Sequence, residues 1–124
     1  MSTDQENTVR AHFDACLAQD RDVAARLLAD DFVFTSPQDD HIGKGAYLDR
    51  CLPTADRLRS QKLLDVVSAG DDGVFVRYEY ELLTGARHQN AEYIRVRDGQ
   101  LAETMVFFGA RCDDRPPGPG PAGD

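Results

Sequence analysis

The chain has 124 residues with 14 basic and 22 acidic side chains, which gives a formal net charge of −8 at pH 7. This length fits one domain with its own buried core, and a share of 41% hydrophobic residues is ordinary for a globular protein. The acidic balance argues against a nucleic-acid partner, which needs clustered Lys and Arg, and no apolar run approaches the roughly 20 residues of a membrane span.

The N-terminal half is predicted to form three helices around one short strand. Val9, Phe13, Cys16 and Leu17 recur at helical spacing and indicate the first helix. Turn residues and a change of pattern separate the elements that follow. The predicted elements are a helix ending near residue 17, a helix over 22–28, a strand over 32–36, a polar loop over 38–41 and a helix over 43–52.

After these helices the hydrophobic period changes from about 3.6 to about 2, which predicts strands. Turn residues separate the strands, and the pair Asp98-Gly99 is a typical signal for a two-residue hairpin. Helices followed by an antiparallel meander predict an α+β fold. The predicted strands span residues 62–68, 74–83, 87–97 and 101–108.

The C-terminal segment, residues 113–124, differs in composition from the rest of the chain. It contains four of the six prolines and no apolar side chain larger than alanine. Such a segment cannot anchor itself in a core, so we expect a disordered tail. The single folded domain is therefore expected to comprise residues 1–112.

Alternation along two of the strands predicts which side chains face the core. In the strand over 74–83 the even positions are apolar or aromatic, so we expect that face to be buried. In the next strand Ile94 marks the inward face, which places His88, Asn90 and Glu92 in line with it. Successive inward polar residues need partners or a cavity. The alternative is that the first two extend past the core into water.

Four local motifs carry a family resemblance. Their order and spacing resemble the NTF2-like superfamily, which includes the SnoaL-like polyketide cyclases, the ketosteroid isomerases and the limonene epoxide hydrolases. The resemblance implies a cone-shaped, curved antiparallel sheet wrapped by three N-terminal helices around a pocket that ligands enter at its wide end. The motifs are Leu28–Phe32 at the entry to the first strand, Gly43–Leu48 at the start of the third helix, Arg97–Leu101 in the final hairpin and Phe107–Gly109 after it.

The resemblance also implies a homodimer. Ala102, Thr104, Val106 and Phe108 share one face of the last predicted strand, and we expect this face to point outward. They would then form an apolar strip that a second copy of the chain could cover.

Carried over position by position, the resemblance to ketosteroid isomerases leaves one acid in place. The general base of that family, an Asp before a Pro, corresponds to Ser36 here, and its Tyr donor on the first helix corresponds to Phe13. Its protonated Asp donor corresponds to Glu92. The classical isomerase triad is therefore not retained, and no inward Arg completes the Asp-Arg-Asp set of the epoxide hydrolases.

Glu92 is the candidate general acid or base, because burial in an apolar pocket raises the pKa of a carboxyl group. Asp40 is the candidate replacement for the missing base, with His41 as its proton partner. The alternative is that this segment is a solvated turn or a helix cap. The candidate substrate-binding residues, several of which could equally be plain core, are Phe13, Phe34, Ser36, Tyr47, Tyr78, Tyr80, His88, Asn90, Met105 and Phe107.

These residues predict a cofactor-independent enzyme for acid/base chemistry on a hydrophobic, oxygenated small molecule, such as those of secondary metabolism. Isomerisation, cyclisation, dehydration and hydrolysis all remain open. The alternatives are a non-catalytic ligand carrier or sensor with the same pocket, and a protein-interaction domain. No metal is expected, because the cysteines form no ligand cluster and His41, His88 and Glu92 lie far apart in the sequence.

The cellular compartment is predicted from two features. The N-terminal sequence MSTDQENTVR is acidic and polar, unlike a signal or transit peptide. Cys16, Cys51 and Cys112 are odd in number and widely spaced, which suits small buried thiols in a reducing compartment. We therefore expect a cytoplasmic protein.

Overall fold

The protein is built on one six-stranded sheet. The computed structural model describes residues 2–112, with side chains from residue 4 onward. The α+β prediction is confirmed, and the predicted disordered tail, 113–124, lies outside the described residues. The elements in chain order are α1 (Ser2–Leu17), α2 (Arg21–Arg26), β1 (Leu28–Ser36), β2 (Asp39–Gly43), α3 (Lys44–Arg50), a 3₁₀ helix (Leu52–Arg57), β3 (Leu58–Ala69), β4 (Gly73–Leu82), β5 (Arg87–Arg97) and β6 (Gln100–Arg111).

The sheet is curved and unclosed, with strand order β2-β1-β6-β5-β4-β3. The predicted meander is confirmed, because β3, β4, β5 and β6 pair antiparallel in sequence order, while β1 joins β6 in parallel. At the β5–β6 hairpin Asp98 and Gly99 both have positive φ values, 54° and 74°, as a two-residue hairpin of this type requires.

The core lies between α1 and the inner face of the sheet. Val9 on α1 and Val74 and Ile94 on the sheet are fully buried, and Phe13 packs edge-on to Tyr78 with ring centroids 5.0 Å apart. The even-numbered side chains of β4 therefore face the core, as predicted. Burying a Val or Ile side chain stabilises a fold by about 1.5–3 kcal/mol, so this apolar stripe fixes α1 on the sheet.

The segment after β1 is a strand and not the predicted loop. The Ser36 hydroxyl accepts hydrogen bonds from the backbone N–H groups of Gln38 and Asp39, at 3.1 and 3.2 Å. These bonds close a tight turn after Pro37, and the chain returns as β2 along β1, where Phe34 pairs with Ile42. The polar composition concealed this strand because β2 is a short edge strand with two exposed side chains at its centre.

A bulge in β6 reverses the face predicted for its side chains. Val96 pairs with Leu101, but Arg95 pairs with Glu103, so β6 contains one extra residue after the hairpin. One inserted residue moves every later side chain to the opposite face. The predicted outward strip was therefore wrong: Thr104 and Val106 are buried on the inner face.

The outer face of the sheet carries an exposed apolar patch instead. Val67, Phe75, Tyr93 and Met105 are register partners across β3, β4, β5 and β6, and Phe107 follows Met105 on the same face. Phe75 and Phe107 remain 47% and 48% exposed. The homodimer stays a prediction, and the apolar surface open to a second copy is this outer patch.

Among the described helices, none has the length and apolar character needed to cross a bilayer.

Candidate functional site

A cavity of about 470 Å³ lies between the inner face of the sheet, α1, α3 and the 3₁₀ helix. This volume is within the range of small-molecule binding sites. Along β4 the inner side chains change from fully buried Val76 to half-buried Tyr80 and Leu82, and Phe108 on β6 is half exposed. The cavity therefore opens at the end of the sheet where β4 finishes, and its floor lies toward Val76.

Glu92 is the carboxyl group that lies deepest in this cavity. It sits on β5 between two buried register partners, Val76 on β4 and Val106 on β6. Burial raises the pKa of Glu92 from its ordinary value of 4.5 to about 7, against a smaller lowering effect of the hydrogen bond from Tyr78. Near neutral pH the carboxyl is therefore populated in both its protonated and its ionised form.

Tyr78 and Asn90 hold this carboxyl in place. The Tyr78 hydroxyl donates a hydrogen bond to Glu92 Oε2 at 2.7 Å, and Asn90 Nδ2 donates to the same hydroxyl at 3.4 Å. Asn90 Oδ1 in turn accepts a hydrogen bond from the backbone N–H of Gly109 at 3.1 Å. Burial raises the pKa of Tyr78, so the phenol keeps its proton and acts as a donor. A chain of hydrogen bonds thus connects the backbone of β6 to Glu92.

A second group of polar side chains lines the cavity with unused hydrogen-bonding capacity. His12 on α1 is only 5% exposed, and among residues 4–112 its ring nitrogens contact only the Cys16 thiol, at 3.7 and 3.8 Å. Burial lowers the pKa of His12 to about 4, so the ring is neutral at pH 7. The Thr104 hydroxyl is buried and has no hydrogen-bond partner among residues 4–112. Buried polar groups are normally paired, so these two can bind a polar ligand.

The cysteines in the cavity wall are not activated as nucleophiles. Burial raises the pKa of the Cys16 thiol to about 11, and burial together with the neighbouring Asp39 raises that of Cys51 to about 11. A nucleophilic cysteine needs a lowered pKa. Both thiols therefore stay protonated at neutral pH, and Cys16 contacts the buried Tyr47 hydroxyl at 3.6 Å.

The rim of the cavity is charged and polar. Arg50 and Arg57 line it, as do several amide and hydroxyl side chains. Arg50 pairs with Asp39 at 3.6 Å between its Nη2 atom and the carboxylate oxygen. Asp39 also accepts a long contact from the Cys51 thiol at 3.8 Å.

Most of the sequence-predicted site residues are brought together in this cavity. Glu92 is joined there by its neighbours from α1, β1, α3, β4 and β5. Ser36 also borders it, although its hydroxyl is used by the β1–β2 turn. The predicted residues that line the cavity are Phe13, Phe34, Ser36, Tyr47, Tyr78, Tyr80, Asn90 and Glu92.

Asp40 and His41 do not line the cavity. Their side chains are 93% and 65% exposed on β2, where they contact each other. Because neighbouring residues of a strand point to opposite faces, Asp39 borders the cavity and Asp40 does not. His41 interrupts this alternation, because its backbone has a positive φ of 52°. The structure therefore corrects the predicted role of these two residues as the acid/base partner of Glu92.

Three further predicted lining residues lie elsewhere. Met105 and Phe107 point to the outer face because of the bulge in β6, so their predicted place in the pocket was wrong. His88 is half-buried and stacks on Tyr80, with ring centroids 5.5 Å apart, so it supports the wall without lining the cavity. Among residues 4–112, no cluster of three or more His, Cys, Asp and Glu side chains could hold a metal ion.

The sequence prediction missed His12, Thr104, Asp39 and the two rim arginines. For His12 a signal was present, since it lies three residues after Val9 and four before Cys16, on the buried stripe of α1. For Thr104 the bulge removed the signal. The arginines lie at the ends of short helices, where the sequence carries no periodic pattern long enough to assign a face.

N-terminal helices and a curved, unclosed sheet thus enclose an aromatic cavity that contains the Glu92 carboxyl. The family model of the SnoaL-like domain matches residues 9–104 of this chain. The chain therefore belongs to the SnoaL-like domain family of the NTF2-like superfamily, and the resemblance noted from its motifs is confirmed.

Solved structures support the same fold. A proposed ketosteroid isomerase from Kribbella flavida is 20% identical, with 95% of this chain and 86% of that chain covered and a TM-score of 0.72. An LEH-like epoxide hydrolase from M. tuberculosis is 20% identical, with 86% and 83% covered and a TM-score of 0.72. A proposed polyketide cyclase from Sinorhizobium meliloti is 22% identical, with 86% and 98% covered and a TM-score of 0.72. At these identities the likeness shows the fold alone. No curated protein matches the chain.

Proposed function

We propose that this protein is a cofactor-independent enzyme that transfers protons on a hydrophobic, oxygenated small molecule, in an isomerisation, cyclisation, dehydration or hydrolysis. One observation carries the proposal: a carboxyl group with a pKa of about 7 lines an aromatic cavity of about 470 Å³. A group whose pKa lies near the working pH can accept a proton and return it within one reaction cycle.

The hydrogen bond from Tyr78 determines which part of Glu92 reacts. Tyr78 occupies the Oε2 atom, and among the described residues no donor binds Oε1. The proton transfer is therefore assigned to Oε1, which takes a proton from carbon, from a hydroxyl or from water and delivers it to another atom of the bound molecule. The aromatic walls orient that molecule and exclude water.

Charge that develops on the substrate oxygen needs hydrogen-bond donors near Glu92. Thr104 is a diagonal neighbour of Glu92 on the inner face of the sheet, and among residues 4–112 its hydroxyl has no partner. The neutral His12 ring faces the cavity from α1 and has one N–H group to donate. Removing one such preorganised donor typically costs about 10²–10³ in rate. We assign His12 and Thr104 to the oxygen of the substrate and Glu92 to its proton.

The proposal is tested by incubating the purified protein with cyclic ketones, terpenoid epoxides and polycyclic phenols and following each by NMR. We expect one of these classes to raise the melting temperature and to yield product. A ligand at 100 times its Kd adds roughly 2.7 kcal/mol to stability, which a thermal shift detects readily. A compound that binds but is recovered unchanged would contradict catalysis and favour the ligand-carrier alternative.

Replacing Tyr78 by Phe is expected to move the pKa of Glu92 above about 7, because the hydrogen bond from Tyr78 favours the ionised form. The measurement is the chemical shift of the Glu92 carboxyl carbon as a function of pH. Tyr93→Phe on the outer face is the matched control and should leave the midpoint unchanged. A midpoint that stays in place in Tyr78→Phe would remove Tyr78 from its positioning role.

A further inference from the structure

The rim of the cavity carries two arginines in a chain whose net charge is −8. Arg50 is the last residue of α3 and Arg57 the last of the 3₁₀ helix, so two consecutive helical segments each end with a cation at the opening. An acidic protein repels anions in general. Cations at the opening of the cavity therefore create a local region that attracts anions.

Carboxylates among residues 4–112 offset only one of these two charges. Arg50 pairs with Asp39, whose side chain is 18% exposed. Within the part of the chain that the structure describes, no carboxylate pairs with Arg57, whereas its neighbour Arg59 pairs with Glu81 at 3.5 Å. Arg57 therefore keeps its guanidinium donors available for a ligand, in a geometry that suits a carboxylate.

The backbone fixes the position of Arg57. Its carbonyl oxygen accepts a hydrogen bond from the N–H of Leu83 at 2.9 Å, and the next residue, Leu58, pairs with Leu82 at the end of β4. Glu92 pairs with Val76, which lies six residues before Leu82 on β4. Six residues of extended strand span about 20 Å, and this length separates the backbone near Arg57 from the backbone of Glu92. Because both side chains line the cavity, a ligand that contacts both must be elongated, with its two polar ends well separated.

We propose that the substrate is an amphiphile with a singly charged anionic group, such as a carboxylate, at one end. That group binds Arg57 at the rim, the hydrophobic body fills the aromatic cavity, and the oxygenated end lies at Glu92. The inference rests on the proposed function for its inner end only. Its outer end depends on Arg57 and is tested separately.

The test uses two probes with the same hydrophobic body, anilinonaphthalene sulfonate and its uncharged parent phenylnaphthylamine, in fluorescence titrations. We expect Arg57→Ala to weaken the anionic probe about tenfold and to leave the uncharged probe unchanged, as the loss of one charge-assisted contact requires. Arg59→Ala is the matched control, since it removes the same charge two residues away, outside the cavity lining. Arg57→Lys should restore part of the lost affinity.

Two results would overturn the inference. Equal weakening of both probes by Arg57→Ala would show that the side chain shapes the wall and does not recognise charge. Equal weakening of the anionic probe by Arg57→Ala and Arg59→Ala would show a general electrostatic effect. Neither result bears on proton transfer at Glu92, which is judged from product formation on uncharged compounds. Both arginines are exposed, so the variants are expected to fold, and their melting temperatures check this.

Discussion

Glu92→Gln is expected to lower the turnover number by about a hundredfold or more on any compound that the protein converts, because an amide cannot take up or release the proton. The amide keeps the size of the carboxyl group, and its oxygen can still accept the hydrogen bond from Tyr78. The cavity should therefore retain its shape and its affinity for the compound. The measurement is kcat and KM for the wild type and the variant at several pH values.

The pH profile separates a catalytic role from a structural one. The wild type should show a limb with its midpoint near pH 7, which rises with pH if Glu92 is the base and falls if it is the acid. The variant should lack this limb. Glu103→Gln on the outer face, where Glu103 contacts Arg95 at 3.7 Å, is the matched control and should behave like the wild type. A Glu92→Gln protein with the wild-type rate would end the proposal.

The stability of the fold is expected to depend on pH through two groups in the cavity wall, the half-buried Glu92 and the buried His12, with opposite signs. Glu92 has a pKa of about 7 in the folded protein and 4.5 as an ordinary side chain, so its favourable contribution is present below pH 4.5 and is lost as the pH rises through 7. His12 has a pKa of about 4 against 6.5, so its contribution is present above pH 6.5 and is lost as the pH falls through 4.

These two effects nearly cancel between pH 4.5 and 6.5, where one slope is negative and the other positive. Each amounts to about 3 kcal/mol over its full range, at about 1.4 kcal/mol per pKa unit. Glu92→Gln should therefore be more stable than the wild type by about 3 kcal/mol at pH 8 and equal to it near pH 4. His12→Gln should lose the opposite slope, so its stability relative to the wild type should fall as the pH rises from about 4 to 6.5.

Urea unfolding followed by circular dichroism at several pH values measures these differences. The slope against pH is the informative quantity, because His12→Gln also changes packing beside Tyr47 and so shifts stability at every pH. Subtracting each variant from the wild type removes the contributions of all other titrating groups. If the curves of stability against pH are parallel for Glu92→Gln and the wild type, burial does not raise the pKa of Glu92.

The sheet could be predicted closely from the sequence where alternation and turn chemistry agree. The strand over Arg87–Arg97 was predicted to its last residue, because Ile94 marks its inward face and Asp98-Gly99 closes it. The inward position of Glu92 followed from the same pattern. Part of the cavity lining can therefore be predicted from the sequence, since Glu92, Asn90 and Tyr78 all lie on strands with clear alternation.

The rest depended on features that local patterns do not encode. The bulge after Leu101 changes the phase of β6, and apolar residues on both of its faces hide that change. The strand β2 exists because the Ser36 hydroxyl closes a turn and not because its own residues favour a strand. The cavity position of Thr104 therefore depends on strand register, which a single sequence does not reveal.

The parts of the cavity come from two kinds of element, and this division has a consequence for changing which ligands the cavity accepts. The acid and its supporting hydrogen bonds all come from neighbouring strands, β4, β5 and β6. The rim comes from the β1–β2 turn, the C-terminal end of α3 and the 3₁₀ helix, all at the surface. Changes of length or sequence in these surface segments can alter which molecules enter while Glu92 keeps its surroundings. Laboratory evolution toward new substrates should therefore begin with residues 36–39 and 50–57.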